Sequence, residues 1–168
     1  MTMDRFPFQR DCVARTTGLV LNVGAKEDPG RLMETFGRRV VNCDLHVRVE
    51  YDGSTRGASQ TFDCTKTWPW DDNSAQMVVL GDIIEHLEPE PMLAALREAA
   101  RVATELCVTV PVDDRPMETR DPYHITVVTE HSLKEALDTT GWEIKEWREV
   151  DYRFVPRGFF VLAERREA

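Results

Sequence analysis

Asp44, Asp63 and Asp82 end short apolar runs, Glu85 and His86 come just past the last of these, and His124 lies further along after the run at 105–112; the ends of such runs are where an α/β sheet presents ligand-binding groups. Gly24 closes GLVLNVG, and Asp44 stands at the end of RVVNCDL, 20 residues later. A glycine at such a turn lets backbone approach a ligand. An acid at that separation can accept hydrogen bonds from ribose hydroxyls. Asp63 could accept from an adenine amino group, with the Cys64 N–H at the ring edge. Asp82, Glu85 and His86 cluster after AQMVVLGD; Glu85 and His86 suit acid and base work or metal ligation. Each residue also has a plain reading as a strand-end turn, a surface acid or a solvated helix entry. VGAKEDPG is not a GxGxxG loop, because Lys26 and Glu27 stand where further small residues are expected.

These groups need a scaffold, and the apolar periods supply one. Residues 18–24, 39–45, 61–64, 75–82 and 105–112 read as buried strands, the last ended by Pro111. Residues 143–152 and 158–166 read as two closing strands joined around Pro156-Arg157-Gly158. Leu32, Met33 and Phe36 suggest a short helix stopped by Gly37, and 46–60 reads as loop, with room for a short strand. A helix is expected over 88–102, with Pro89 and Pro91 in its first turn and Met92, Leu96 and Ala99 on its apolar face. Thr129 should cap a helix that Gly141 ends. Strands alternating with helices imply a parallel sheet with right-handed crossovers.

The chain has 168 residues and a net charge of −9, which suits one domain over 1–168 and works against broad binding to phosphate backbones. No apolar run is long enough for a membrane span, and the first residues lack the apolar stretch of a secretion signal. Cys12, Cys43, Cys64 and Cys107 are scattered and read as reduced core thiols of a cytoplasmic protein.

VLNVGAKEDPG, VVNCDL, the run from FDC through GDIIEHLEPEP, CVTVPV and the segment HITVVTEHSLKEALDTTGWEI together resemble the class I S-adenosylmethionine (SAM)-dependent methyltransferases, above all small-molecule members with a DVIEHL motif. That resemblance implies a Rossmann-like, mostly parallel seven-stranded sheet with an antiparallel last strand and helices on both faces; the short N-terminal segment departs from the family and leads to the expectation of a reduced N-terminal cap. It implies SAM as cofactor, with Gly24 and Ala25 in the first turn, Asp44 and Leu45 at the ribose, Asp63 and Cys64 at the adenine, and Gly81 and Asp82 beside the methionine portion. The implied reaction is methyl transfer to an oxygen or nitrogen of a small or medium-sized acceptor. His86 and His124 are the candidate bases and Glu85 their orienter. Some members bind a divalent metal through a cluster like Asp82, Glu85, His86 and His124; that reading stays open and is not the favoured one. His46 and His131 read as surface residues, and Trp68 and Trp70 as packing. The altered glycine loop also permits a SAM-using enzyme of other chemistry, or a binding or scaffold subunit. The short N-terminal segment leaves room for a lid from a second copy or a partner.

Overall fold

A computed structural model describes residues 5–25, 32, 35–45, 58–151, 155 and 157–167. The expectations for Lys26, Glu27, Pro29-Gly30, Met33, His46, residues 46–57 and Pro156 lie outside the described residues. In chain order the elements are α1 (Arg5–Ala14), β1 (Val20–Val23), β2 (Val40–Asp44), β3 (Ala58–Thr61), β4 (Met77–Gly81), α2 (Pro89–Val102), β5 (Glu105–Val112), α3 (Glu130–Thr139), β6 (Trp142–Val150) and β7 (Arg157–Arg165). All seven strands join one sheet in the order β3-β2-β1-β4-β5-β7-β6. The first five run parallel, β7 is antiparallel to β5, and β6 is antiparallel to β7.

The continuous apolar runs of β1, β4 and β5 form because both faces of these strands are covered. Val20, Leu21, Val23 and Met77 to Leu80 are all buried. α2 covers one face with Met92, Ala95, Leu96, Ala99 and Val102, its proline at the first position needing no hydrogen-bond donor there. Trp142 Nε1 donates to the Leu96 carbonyl at 3.2 Å, pinning β6 to α2. Truncating Leu96 to alanine would cost about 2–5 kcal/mol for the lost burial and the cavity left behind. α3 begins with a reciprocal cap in which Ser132 N donates to Thr129 Oγ1 at 3.1 Å and Thr129 N–H donates back to Ser132 Oγ at 2.9 Å.

Two expectations are corrected, and one element was not foreseen. The third strand is Ala58–Thr61 rather than 61–64, since pairing of Val41–Asp44 with 58–61 ends at Thr61 and the chain turns at Cys64. Pro111 does not end β5, which continues to Val112. Pairing with β4 stops at Thr109, so a missing N–H at Pro111 breaks no bond on that side. Residues 5–14 form a helix, α1, which buries Phe8, Gln9, Cys12 and Val13 against the sheet. The short helix near Phe36 is seen at residues 32, 35 and 36, and Gly37 ends it at φ +63°.

Candidate active site

The carboxyl ends of β1, β2, β4 and β5 open on one rim. β1 ends at Gly24, whose φ of +77° is a conformation that glycine adopts freely. A Cβ here would come within 2.8 Å of the Ile83 side chain, so no larger residue fits without displacing the loop after β4. The N–H groups of Gly24 and Ala25 both point to the Cys43 carbonyl, at 2.9 and 3.2 Å. Arg5, Gln9, Asn22, Gly24, Ala25 and Gly81 line a cleft between α1 and these strand ends. Asn22, on the otherwise apolar β1, donates to Asn42 Oδ1 at 2.9 Å across to β2.

Asp44 ends β2, and its carbonyl accepts from Phe62 N–H at 3.1 Å, which brings the residues after β3 beside it. Leu45 is exposed. Asp63 accepts from Thr65 Oγ1 at 2.6 Å and Thr65 N–H at 2.9 Å, and these bonds hold its carboxyl below the usual range. Burial pushes the Cys64 thiol up to about 11, so it is no nucleophile at neutral pH. The Cys64 carbonyl accepts from Trp68 Nε1 at 2.9 Å. Trp68 is buried and meets Phe62 and Trp70 edge-on, so both tryptophans pack, as the sequence suggests. Arg101 secures this corner by donating to Glu98 and to the Trp68 and Trp70 carbonyls.

On the β4–β5 side, Asp82 takes the left-handed region at φ +53°, which aspartate tolerates better than most residues. Its N–H donates to the Thr109 carbonyl at 2.8 Å, and its carboxylate pairs with Arg5 of α1. Thr109 Oγ1 accepts from Gln9 Nε2 at 2.9 Å and donates to Asp82 Oδ1 at 3.4 Å. A Cβ on Gly81 would meet Gln9 Nε2 at 2.6 Å, so glycine is what lets α1 lie this close. Arg5, Gln9 and Thr109 escaped the sequence reading, because their roles depend on contacts 77 and 100 residues away along the chain.

Past Asp82 a single 3-10 turn, Ile84–His86, carries the second group of candidates. One ligand atom each from Glu85, His86 and His124 lies within 4.8 Å of the others. Glu85 is buried, with Oε1 3.8 Å from His86 Nε2, and the two imidazole centroids are 5.1 Å apart. His86 Nδ1–H donates to the Tyr123 carbonyl at 2.7 Å. His124 Nδ1–H donates to Asp113 Oδ2 at 3.0 Å. Arg115 grips Asp113 through two bonds of 2.6 and 2.8 Å and holds that carboxyl well below its usual range. With both Nδ1 atoms engaged as donors, each neutral ring keeps its lone pair on Nε2. Such a group can take a proton from a hydroxyl, or hold a divalent cation with Glu85 as the anionic ligand. Asp113, just past β5, thus holds the His124 ring from Nδ1, a partner that the sequence did not point to. Asp82 stands apart from this group, at α1, and is no part of the set that could hold a cation. His131 is exposed on α3.

No family model matches the sequence, and no curated protein matches it. Solved structures do match the fold. The [4+2]-cyclase SpnF is 18% identical, with a TM-score of 0.72 over 95% of this chain and 81% of the other. The 1,6-didemethyltoxoflavin-N1-methyltransferase of Burkholderia thailandensis, solved with its acceptor and S-adenosylhomocysteine (SAH), is 14% identical, with a TM-score of 0.74 over 96% of this chain and 77% of that one. A complex of the Haloferax volcanii Trm112 methyltransferase activator with a methyltransferase matches at 13% identity and a TM-score of 0.72, over 97% and 91% of the two chains. The chain thus has the Rossmann-like fold of the class I SAM-dependent methyltransferases, with the expected antiparallel closing strand. Among the described residues, no helix is long and apolar enough to cross a membrane.

Proposed function

We propose that this chain is a SAM-dependent methyltransferase acting on an oxygen or nitrogen of a small or medium-sized acceptor. The observation that carries the reading is one continuous rim on which the glycine cradle at Gly24, the acids Asp44 and Asp63, and the Glu85–His86–His124 group stand at successive strand ends. The donor set fits SAM: Asp44 for the ribose hydroxyls, Asp63 and the Cys64 N–H for the adenine edge, and the cleft at Gly24, Ala25, Gly81 and Asp82 for the amino-acid end. When bound, SAM supplies an electrophilic methyl on its sulfonium. The protein's part is to hold the acceptor in line and remove one proton. His124 Nε2 receives that proton, and Asp113 stabilises the imidazolium from Nδ1. Glu85 and His86 complete the wall beside it.

A second reading of the same group is favoured by its paired Nδ1 bonds, which are the outer contacts that orient histidine ligands toward a metal. A divalent cation on Glu85, His86 and His124 would lower a hydroxyl pKa. Methyl transfer that is unchanged by a chelator would remove this reading.

We also infer that a second copy or a partner subunit covers the acceptor side. Met117, Tyr123 and Ile125 are 82%, 74% and 52% exposed in the segment that carries His124, and a Haloferax protein of the same fold was solved in complex with a methyltransferase activator. A monomer by light scattering, with full activity alone, would count against it. A cytoplasmic site of action suits the free thiols.

The direct test is methyl-labelled SAM with a fractionated cell extract as acceptor source. A labelled small molecule is expected. Binding of SAM without any labelled product would favour another SAM-dependent chemistry, and binding of neither SAM nor SAH at millimolar concentration would leave a scaffold role.

A further inference from the structure

We propose that the outer edge of β6 is a surface for self-association. Two copies of this chain join antiparallel, β6 against β6, about a two-fold axis at Lys145 and Glu146, and the sheet of one copy runs on into the next. This surface is distinct from the acceptor side and does not rest on the SAM reading.

β6 is the last strand of the sheet and is nine residues long, and no described residue pairs with its outer edge. Such an edge offers a row of backbone donors and acceptors to another strand. Its side chains decide which strand can accept. A bulge interrupts β6: Ile144 pairs with Ala163 and Glu146 with Leu162, so Lys145 is one residue extra. In an unbroken strand Ile144 and Trp147, three residues apart, would lie on opposite faces. The extra residue puts both on one face. There they pack on the main core, and Lys134 of α3 lies 4.8 Å from the centre of the Trp147 ring. Glu146 and Arg148 take the other face, where they meet Arg15 and the ring of Phe8.

The bulge makes the strand its own complement. Let two copies run antiparallel with Lys145 opposite the partner's Glu146. Ile144 then stands opposite Trp147, Glu143 opposite Arg148 and Trp142 opposite Glu149, and the two members of each pair share a face. The two-fold repeats every pair. An aliphatic side chain meets an aromatic one and each cation meets an anion, the pairings that stabilise adjacent strands. A shift of one residue sets Lys145 against itself in one direction, and Glu146 against itself in the other. Charges close an edge to strands that bring like charges or none. A second copy in this register brings the opposite ones. Each chain has a net charge of −9, and in about 0.15 M salt that general repulsion is screened beyond about 8 Å, while charges on paired strands, about 5 Å apart, still act on one another.

The test is sedimentation of the whole chain and of charge-reversed variants. Wild type should form a dimer at ~100 µM chain in about 0.15 M salt, the range of a small interface. Glu143→Arg sets two arginines opposite each other, and Arg148→Glu sets two glutamates. Each variant alone should dimerise at least ~10-fold more weakly than wild type. Mixed one to one, the two should recover the dimer, because every 143–148 pair is again of opposite charge. Lys145→Glu and Glu146→Lys form a second such pair, and they carry the test if an unfolding transition shows that either of the first two variants does not fold. A wild type that stays monomeric at ~1 mM would overturn the proposal. So would a dimer that the reversals leave unchanged, or a mixture no more dimeric than its parts.

Discussion

On the β1–β3 side of the rim, Asp63 and Cys64 are held by residues close to them in the chain. Asp63 is bound by Thr65 two residues on, and Cys64 is locked by Trp68 four residues on. On the β4–β5 side, distant chain does the holding. Arg5 reaches Asp82, Gln9 reaches Thr109, Tyr123 holds His86 and Asp113 holds His124. The first half is a fixed shelf suited to a nucleoside common to many reactions. The second is a composite of four chain segments, and a change in any of them re-aims a charged group. Conserved chemistry can sit on the first and changing chemistry on the second, as the shared fold of a cyclase and an N-methyltransferase illustrates.

This division can be broken in order of expected effect. Replacing His124 with alanine should lower turnover about 10²- to 10⁴-fold, the usual worth of a positioned base, and leave SAM affinity unchanged in a calorimeter. A parallel loss of SAM affinity would mean that the two halves are one unit. Trp68→Ala should cost about 3–5 kcal/mol of stability in denaturant unfolding, since it empties a buried site on the shelf side. Asp44→Ala should weaken SAM binding by about 1–3 kcal/mol while turnover at saturating SAM is kept. An unchanged affinity would displace the ribose from β2.

The smallest effect is a pH dependence on the shelf side. The Arg101 bonds hold the Glu98 carboxyl below its usual value. Folding therefore favours the ionised form. Its contribution is whole above the unfolded glutamate value, near about 4.3, and is lost as pH falls through the lower folded value. Glu98→Gln should cost about 1 kcal/mol at neutral pH, given its partial exposure, and the gap to wild type should close in acid. A gap that widens in acid would reverse the assignment.

Most of the sheet was legible in the sequence because β1, β4 and β5 are buried on both faces and so read as unbroken apolar runs. β3 was displaced by three residues because ASQT has no apolar signal; its pairing with β2 makes it a strand. α1 was hidden for a related reason: RFPFQRDCVA mixes charge with apolar residues and carries Pro7, so its helix is fixed by docking on the sheet. Within the site, Glu85, His86 and His124 were visible as residue types, and their proximity is a fact of the fold. Asp113 was not visible as the partner of His124, because an acid after a strand has no pattern that names the histidine it will meet. Among the described residues the glycine-poor loop is represented by Gly24, where the close approach of Ile83 leaves no room for a Cβ.

The central claim is that this rim binds SAM through its shelf. Titration of wild type and Asp44→Ala with SAH in the same calorimeter tests it most directly. One-to-one binding by wild type, weakened at least ~5-fold in the variant, is the predicted result. No heat from wild type at millimolar ligand, or equal binding by both proteins, would contradict it.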